Sequence, residues 1–493
     1  MLAKQSSTFE QAEAEYVRRY QRSPPPGLEQ WFEYAKAENS LIIDEFDIID
    51  QAIKPYLERS GAEIADNVQQ VAASAAFSWS CTIADGRLRK NCAILGEETM
   101  SLLSDVRILA HIPNIEFVGN QLDEPRILLE QQPAAISSRR RRERSDGEPI
   151  TWGDLGEKPA WKRLAIDQCN HFSESHSSEE SGFASVQGIE TLGLPFVQNV
   201  TDAMDICRHP EYEHLHGFWE SPTTLKYTHS ALPILSPGIP STMNDIPFPA
   251  IAYTMSSYSY DETEIVDYSL KQPGLYWAGK TTGGYQRVDD NDEGWVPLHR
   301  QRFVAKANNL ENETHTYLRR TEEGGLWKAV NDEAFNNSFY HVHFTEIVQC
   351  DETARKHQKE YFDVKPPDSR AEAGKYTLVF DSDGNGHSAR YYRLLQSKSL
   401  PLKQTIFREW HDDRLQPWLH YVPVSLAMDE LPEVVRYFVE EAEGRELAQE
   451  MAIKGREWSL QVLRPVDQVI YLYRLLLELA RLQDPARVAG SPY

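Results

Sequence analysis

KYTLVFDSDGNGHSARYYR, residues 375–393, is the stretch whose reading decides the fold. Its apolar run 376–380 predicts a short buried strand, Gly384 and Gly386 predict a turn, and 388–397 predicts a helix. A strand that turns on glycine into a helix is the repeating unit of an α/β sheet. The same arrangement aims backbone N–H groups and the positive end of a helix at one point, which is how phosphates are held. Arg390, early after the turn, can reach back towards a diphosphate. Taken alone, these residues fit a purely structural turn equally well, because glycine-containing strand-to-helix turns are common.

Outward from this stretch the alternation continues. Strand-like runs are predicted at 106–110, 115–118, 250–253, 274–277, 340–344 and 419–424, and a helix at 299–308. At the C-terminus Val466, Val469, Ile470, Tyr473, Leu477 and Ala480 trace one apolar stripe behind Pro465, which suits a first helical turn. The N-terminal part reads as helices. Thr8 and Gln11 have capping-box spacing, Phe9, Ala12, Tyr16 and Tyr20 recur at three or four residues, and Trp31, Phe32 and Ala35 share a face after Ser23-Pro-Pro-Pro-Gly27. The Pro-rich stretch 233–249 and the segment 256–267 keep no period and are read as the domain linker. Residues 131–150, with the run Arg139 to Arg142, read as a solvated insertion.

Composition narrows the functional classes. At 493 residues the chain is long enough for two large domains, and 41% apolar residues supply their cores. A net charge of −24 repels phosphate backbones and anionic lipid, which sets nucleic acid and membrane surfaces aside as main partners. No run of ~20 apolar residues is present, so the chain as given has no membrane span, and Met1 to Thr8 are too polar for a signal peptide. Cys81, Cys92, Cys169, Cys207 and Cys350 form no CxxC pair; disulfides and buried thiols both remain open. Sequons begin at Asn199, Asn312 and Asn336 and permit a secretory location without arguing for one.

Asp381-x-Asp383 is the one pair that could hold Mg²⁺ or Mn²⁺ against a diphosphate; a plain turn is the competing reading. His341 and His343 alternate on a strand with no third ligand nearby, and are read as structural.

The longer run 375–424, ending in FREWHDDRLQPWLHYVPV, resembles the C-terminal half of the fungal capsule-associated glycosyltransferases, family 90 of the sugar-transferase classification, which also includes the animal protein O-glucosyltransferases. The likeness extends, in the family's order, over Arg22-Ser-Pro-Pro-Pro-Gly27 with Trp31, Asn120-Gln-Leu-Asp-Glu-Pro-Arg126, Asp205-Ile-Cys207 with His216-Gly217, residues 276–303, and Gly455-Arg-Glu-Trp458 with the final helix.

The resemblance implies a GT-B fold, two Rossmann-like domains facing across a cleft. It divides the chain into an N-terminal helical extension (1–65), an acceptor and catalytic-base domain (66–260), a donor domain (261–460) and a C-terminal helix packing back on both (461–493). The implied activity is inverting transfer of a sugar, xylose or glucose, from a UDP-sugar to a hydroxyl of a glycan or protein. Asp123 falls at the family's catalytic base, and one carboxylate suffices for that work. The implied donor set is Lys280, Thr281, Thr282, Gly384, Asn385, Gly386, Ser388, Arg390, Lys403 and Glu409. Within it Arg390 contacts the diphosphate, Glu409 accepts a ribose or sugar hydroxyl, and Lys403 is a second phosphate or uracil contact. No protein-held metal is required, and the implied location is the lumen of the Golgi or endoplasmic reticulum. One position departs from the family: Ala278 stands where an arginine is usual, with Lys280 two residues on. Either Lys280 supplies the charge or the donor site is weakened; the alternative reading of the whole chain is a catalytically silent member that binds glycan or nucleotide as a scaffold.

Overall fold

The computed structural model describes residues 4–74, 77–89, 92–129, 149–169, 191–288, 294–321 and 325–490. The insertion expected at 131–150 lies outside these apart from Pro149 and Ile150.

The chain opens with helices Phe9–Tyr20, Leu28–Ala37, Asp47–Ile53 and Gly61–Ser74. Thr8 caps the first, its side chain accepting from the Gln11 N–H, and Ala12 and Tyr16 are its buried face. Strands follow in the order β1 (Ser78–Ala84), β2 (Arg87–Leu88), β3 (Ile115–Asn120), β4 (Gly153–Asp154), β5 (Lys226–Tyr227), β6 (Ile234–Ser236) and β7 (Ile246–Pro247). Five of them form a mixed sheet, β2-β1-β3-β6-β7, with β3, β6 and β7 parallel. The Trp79 ring lies against Gly119 on the paired strand, where a Cβ would have no room. A disulfide joins Cys81 to Cys92 and another joins Cys169 to Cys207, while Cys350 is a buried thiol.

The second half contributes β8 (Gln272–Lys280), β9 (Thr314–Arg320), β10 (Trp327–Ala334), β11 (Tyr340–Glu346), β12 (Tyr376–Ser382), β13 (Leu400–Gln404) and β14 (Val422–Pro423). β9 and β10 form a hairpin; the other five make an all-parallel sheet, β11-β8-β12-β13-β14. All seven residues of β12 are buried, as expected of a parallel strand covered on both faces. One face packs on Phe303, Val304 and Ala307 of the helix His299–Ala307, the other on Leu394 of the helix Tyr391–Gln396. The last helix, Pro465–Leu482, joins the core of the first sheet and the N-terminal helices. There the Trp31 indole donates to the Ile470 carbonyl at 2.9 Å, and the Tyr471 hydroxyl to that of Pro247 at 3.0 Å.

The α/β reading of the sequence is what the structure shows, with five local corrections. The Pro-rich stretch 233–249, read as linker, supplies β6 and β7 of the first sheet, strands too short to show a period. The apolar run 106–110 is a helical turn, Val106–Leu109, capped by Asp105. Residues 250–253 are a 3₁₀ turn, Ile251–Thr254, not a strand. Of 419–424 only Val422–Pro423 pairs as strand. The helix expected at 388–397 begins at Tyr391 and has six residues, so the turn before it acts through its own backbone and side chains and little through a helix dipole. Among the described residues no helix is long and apolar enough to cross a membrane.

Candidate active site

The C-terminal ends of β3 and β12 face each other. In parallel α/β sheets the loops at that edge carry ligands. The loop after β3 holds Asp123, exposed, beside the buried Glu124. Glu124 fixes the loop by accepting from the Thr224 N–H at 2.9 Å and from the Thr224 hydroxyl. Asn120 Nδ2 donates to the Glu124 carbonyl at 2.6 Å. The turn after β12 runs from Asp383 to His387, and Gly386 lies directly against Asp123. A Cβ on Gly386 would sit 3.1 Å from the Asp123 carbonyl carbon and closer still to its oxygen.

Asn385 ties the turn to the loop after β8, its Oδ1 accepting from the Gly283 N–H at 3.1 Å and from the Thr223 hydroxyl at 3.3 Å. Gly283 has a φ of +117°, and a Cβ there would collide with the His299 imidazole. Gly217, Gly283 and Gly284 are pressed backbone to backbone for the same reason.

Beneath the turn lies a buried polar layer. His216 and His299 stack with ring centroids 3.7 Å apart. Each Nδ1 accepts a backbone N–H, of Phe218 and Gly217 respectively, which leaves the proton on each Nε2. His299 Nε2 then donates to the Asp383 carbonyl at 3.0 Å, and His216 Nε2 faces the Asp383 carboxylate at 3.4 Å. Burial, reinforced by nearby arginines, holds both imidazoles well below their usual pKa. Burial likewise pushes the Asp383 carboxyl up to about 7, against the pull of Lys403.

Both acids of the turn make contacts inside the protein, while Asp383 Oδ1 is buried with no hydrogen-bond partner. Asp381 accepts from the Ser388 hydroxyl and pairs with Lys403 at 3.1 Å; Asp383 accepts the Ile406 N–H at 2.9 Å. Lys403 and Glu409, read from sequence as donor contacts, are 6% and 0% exposed and pair with each other at 3.3 Å. Glu409 also accepts from the Tyr253 hydroxyl. Burial alone would lower the Lys403 pKa, but the carboxylates of Asp381 and Glu409 outweigh it and raise it. Both residues thus build the floor of the turn, with their charges paired inside the protein.

The remaining donor-set residues divide. Lys280 is exposed and paired with Glu346 at 2.6 Å. Thr281 is buried, its hydroxyl donating to the Val348 carbonyl. Thr282 Oγ1 accepts from Arg300 at 2.6 Å. Arg390 donates through Nη1 to the Ala278 carbonyl at 2.7 Å, while its Nη2 is buried with no hydrogen-bond partner. Ser382 Oγ and His387 Nε2 are in the same condition. Sequence reasoning missed Arg300, His299 and His216. The one available signal was a charged residue at a core-facing position of the helix 299–308. A cavity of about 600 Å³ between Pro26, Asn114, Glu116 and Leu477 touches none of these residues.

The family model for glycosyl transferase family 90 matches residues 219–488, more than half of the chain. The chain belongs to glycosyl transferase family 90. The matched span contains the turn, Arg300 and Arg390; Asp123 precedes it. Among curated proteins the chain is similar to O-glucosyltransferase rumi of Drosophila pseudoobscura pseudoobscura, 25% identical over 311 residues, 61% of this chain and 65% of that protein. It is also similar to an O-glucosyltransferase rumi homolog of Aedes aegypti, 33% identical over 113 residues, 22% and 27% of the two chains. Protein O-glucosyltransferase 3 of Homo sapiens matches at 32% over 111 residues, 22% and 21%. The chain spans less than two thirds of the length of these relatives.

Proposed function

We propose that this family 90 chain transfers a sugar from a UDP-sugar, xylose or glucose, to a hydroxyl of a glycan or protein, inverting the anomeric carbon. Asp123 is the general base that takes the acceptor proton, and the turn from Gly384 to Ser388 with Arg390 receives the diphosphate. The observation that carries this reading is the contact of Asp123 with Gly386. It brings the backbone of Asp123, an exposed acid of the β3 loop, against the turn expected to hold the donor. The arrangement is read as GT-B, the cleft lying between the ends of the two sheets. The reading assigns no protein-held metal; the pairing of Asp381 with Lys403 and of Asp383 with the Ile406 N–H supports it. Two disulfides favour an oxidising, luminal location in the secretory pathway.

Thermal-shift titration with UDP, together with UDP-sugar hydrolysis in wild type and Asp123→Asn, tests the assignment. UDP should raise the melting temperature of both proteins. Hydrolysis should fall at least ~10²-fold in the variant, the usual worth of a general base. Equal rates would place the base elsewhere. A second reading, a silent member that binds without turnover, is favoured by Ala278 and by the engagement of Lys280 with Glu346. It predicts UDP binding with no hydrolysis above background in wild type.

A further inference from the structure

Two guanidinium groups reach the end of β8 from opposite faces of the sheet. Arg390 comes from the side of the helix Tyr391–Gln396, and Arg300 from the first turn of the helix His299–Ala307. Their charged carbons lie 5.5 and 5.7 Å from the same Trp277 ring. Arg300 is 7% exposed, and neither arginine forms an ion pair with a carboxylate among the described residues.

Arg300 is instead strung between the two strand ends. Its Nε donates to the Asp383 carbonyl at 2.7 Å, and its Nη1 to the Lys280 carbonyl at 2.9 Å and to Thr282 Oγ1 at 2.6 Å. Its Nη2 makes one long bond, 3.3 Å, to the Ser382 carbonyl. A guanidinium has five N–H donors in a fixed fork. Four are accounted for, and the fifth, on Nη2, is on the nitrogen nearest Gly384: a Cβ built there would be 3.5 Å from it. Burial, and then the charge of Arg390, pushes the Arg300 pKa down to about 9. Asp383 and Asp381 offset this only in part; Asp381 is held by Lys403 and Ser388, and Asp383 is turned to Ile406 and His216.

We infer that Arg300 is a donor-positioning residue that, with Arg390, clamps the diphosphate of a nucleoside diphosphate donor from two sides at Gly384. The inference rests on the proposed donor site. It explains how the site keeps two cations although Ala278 carries none and Lys280 is spent on Glu346. A clamp on two phosphoryl groups separates a nucleoside diphosphate from a monophosphate, whereas a merely structural arginine would not.

The test is calorimetric titration of the full chain with UDP, UMP and uridine. Wild type should bind UDP more tightly than UMP. Arg300→Lys should weaken UDP roughly 10-fold or more, the worth of one charge-assisted hydrogen bond. It should also narrow the UDP-to-UMP ratio and leave uridine unchanged. If Arg300→Lys does not fold, Thr282→Val decides, since it frees one tether of the guanidinium and keeps the charge; UDP should then weaken roughly threefold. Wild type that ignores UDP overturns the donor reading itself. Wild type that binds UDP, with an unchanged UDP-to-UMP ratio in the variant, overturns the role of Arg300 alone.

Discussion

Asp123 and Gly386 touch, and the contact requires glycine: a Cβ at 386 would drive into the Asp123 carbonyl. Gly386→Ala should therefore push the β3 loop off the turn. Overpacking of this kind costs about 1–3 kcal/mol, so the protein should fold while sugar transfer or hydrolysis falls at least ~10-fold. Gly384→Ala is the control. Its nearest neighbours would be Arg300 Nη2 at 3.5 Å and Thr282 Oγ1 at 3.6 Å, ordinary contacts. Stability should be unchanged there and only UDP affinity should drop. Urea denaturation and hydrolysis rates of the two variants check the pair, and equal activity loss in both would sink the argument.

Lys403 and Lys280 were read from sequence as the same kind of contact, and the structure separates them. Lys403 is buried between Asp381 and Glu409 and lies 3.9 Å from the centroid of the Tyr391 ring. Removing it leaves two buried carboxylates uncompensated, a loss of about 3–5 kcal/mol for a broken buried pair. Lys403→Met should show that loss in urea unfolding, with UDP-sugar turnover following the folded fraction. Lys280→Ala removes an exposed pair and should leave stability unchanged.

What the sequence made legible was whatever is written locally. The buried strand 376–380, the glycine turn, the helix 299–308 and the stripe behind Pro465 are each specified by period or by punctuation residues within a dozen positions. Residues 106–110 misled because a short apolar run fits a strand or one helical turn equally well. Arg300 was invisible for another reason: its bond to Asp383 spans 83 residues of chain. The burial of Lys403 and Glu409 was not legible either, because burial is tertiary. An alternating Leu-Lys-Gln strand looks the same whether its lysine meets a ligand or a partner carboxylate.

The sequons add a check on location. Asn312 and Asn336 are exposed, and they flank the two ends of the hairpin pairing Thr314 with Ala334. Asn336 also precedes β11 at Tyr340, so it lies by the N-terminal ends of the parallel strands, away from Lys280 and Ser382. Glycans there would leave the turn uncovered. Expressed through a secretory pathway, the protein should carry glycan at both positions by peptide mass spectrometry. Asn312→Gln with Asn336→Gln should keep the UDP-induced melting shift. Secreted, folded protein bare at both sites would argue against luminal glycosylation.

Between about pH 6.5 and 8 the ionisation of the buried Asp383 should cost stability as pH rises. Burial raises the carboxyls of Asp383 and Glu430 to about 7 and of Asp245 to about 6. An unfolded carboxyl titrates near 4. Between those values the native state binds the extra protons, so stability is lost as pH rises, by up to about 1.4 kcal/mol per proton per pH unit. The buried histidines oppose this at lower pH. His216, His299 and His411 are held below their ordinary pKa, so the unfolded chain binds more protons under pH 6.5 and stability rises with pH there. Unfolded histidines still release protons just above 6.5, and burial lowers Lys271 to about 8, so the share of Asp383 is isolated by removing it. Asp383→Asn keeps an acceptor for the Ile406 N–H and removes one titration. The melting temperature of the variant should gain on that of wild type as pH goes from 6.5 to 8, and parallel curves would show that Asp383 is ionised well below neutrality.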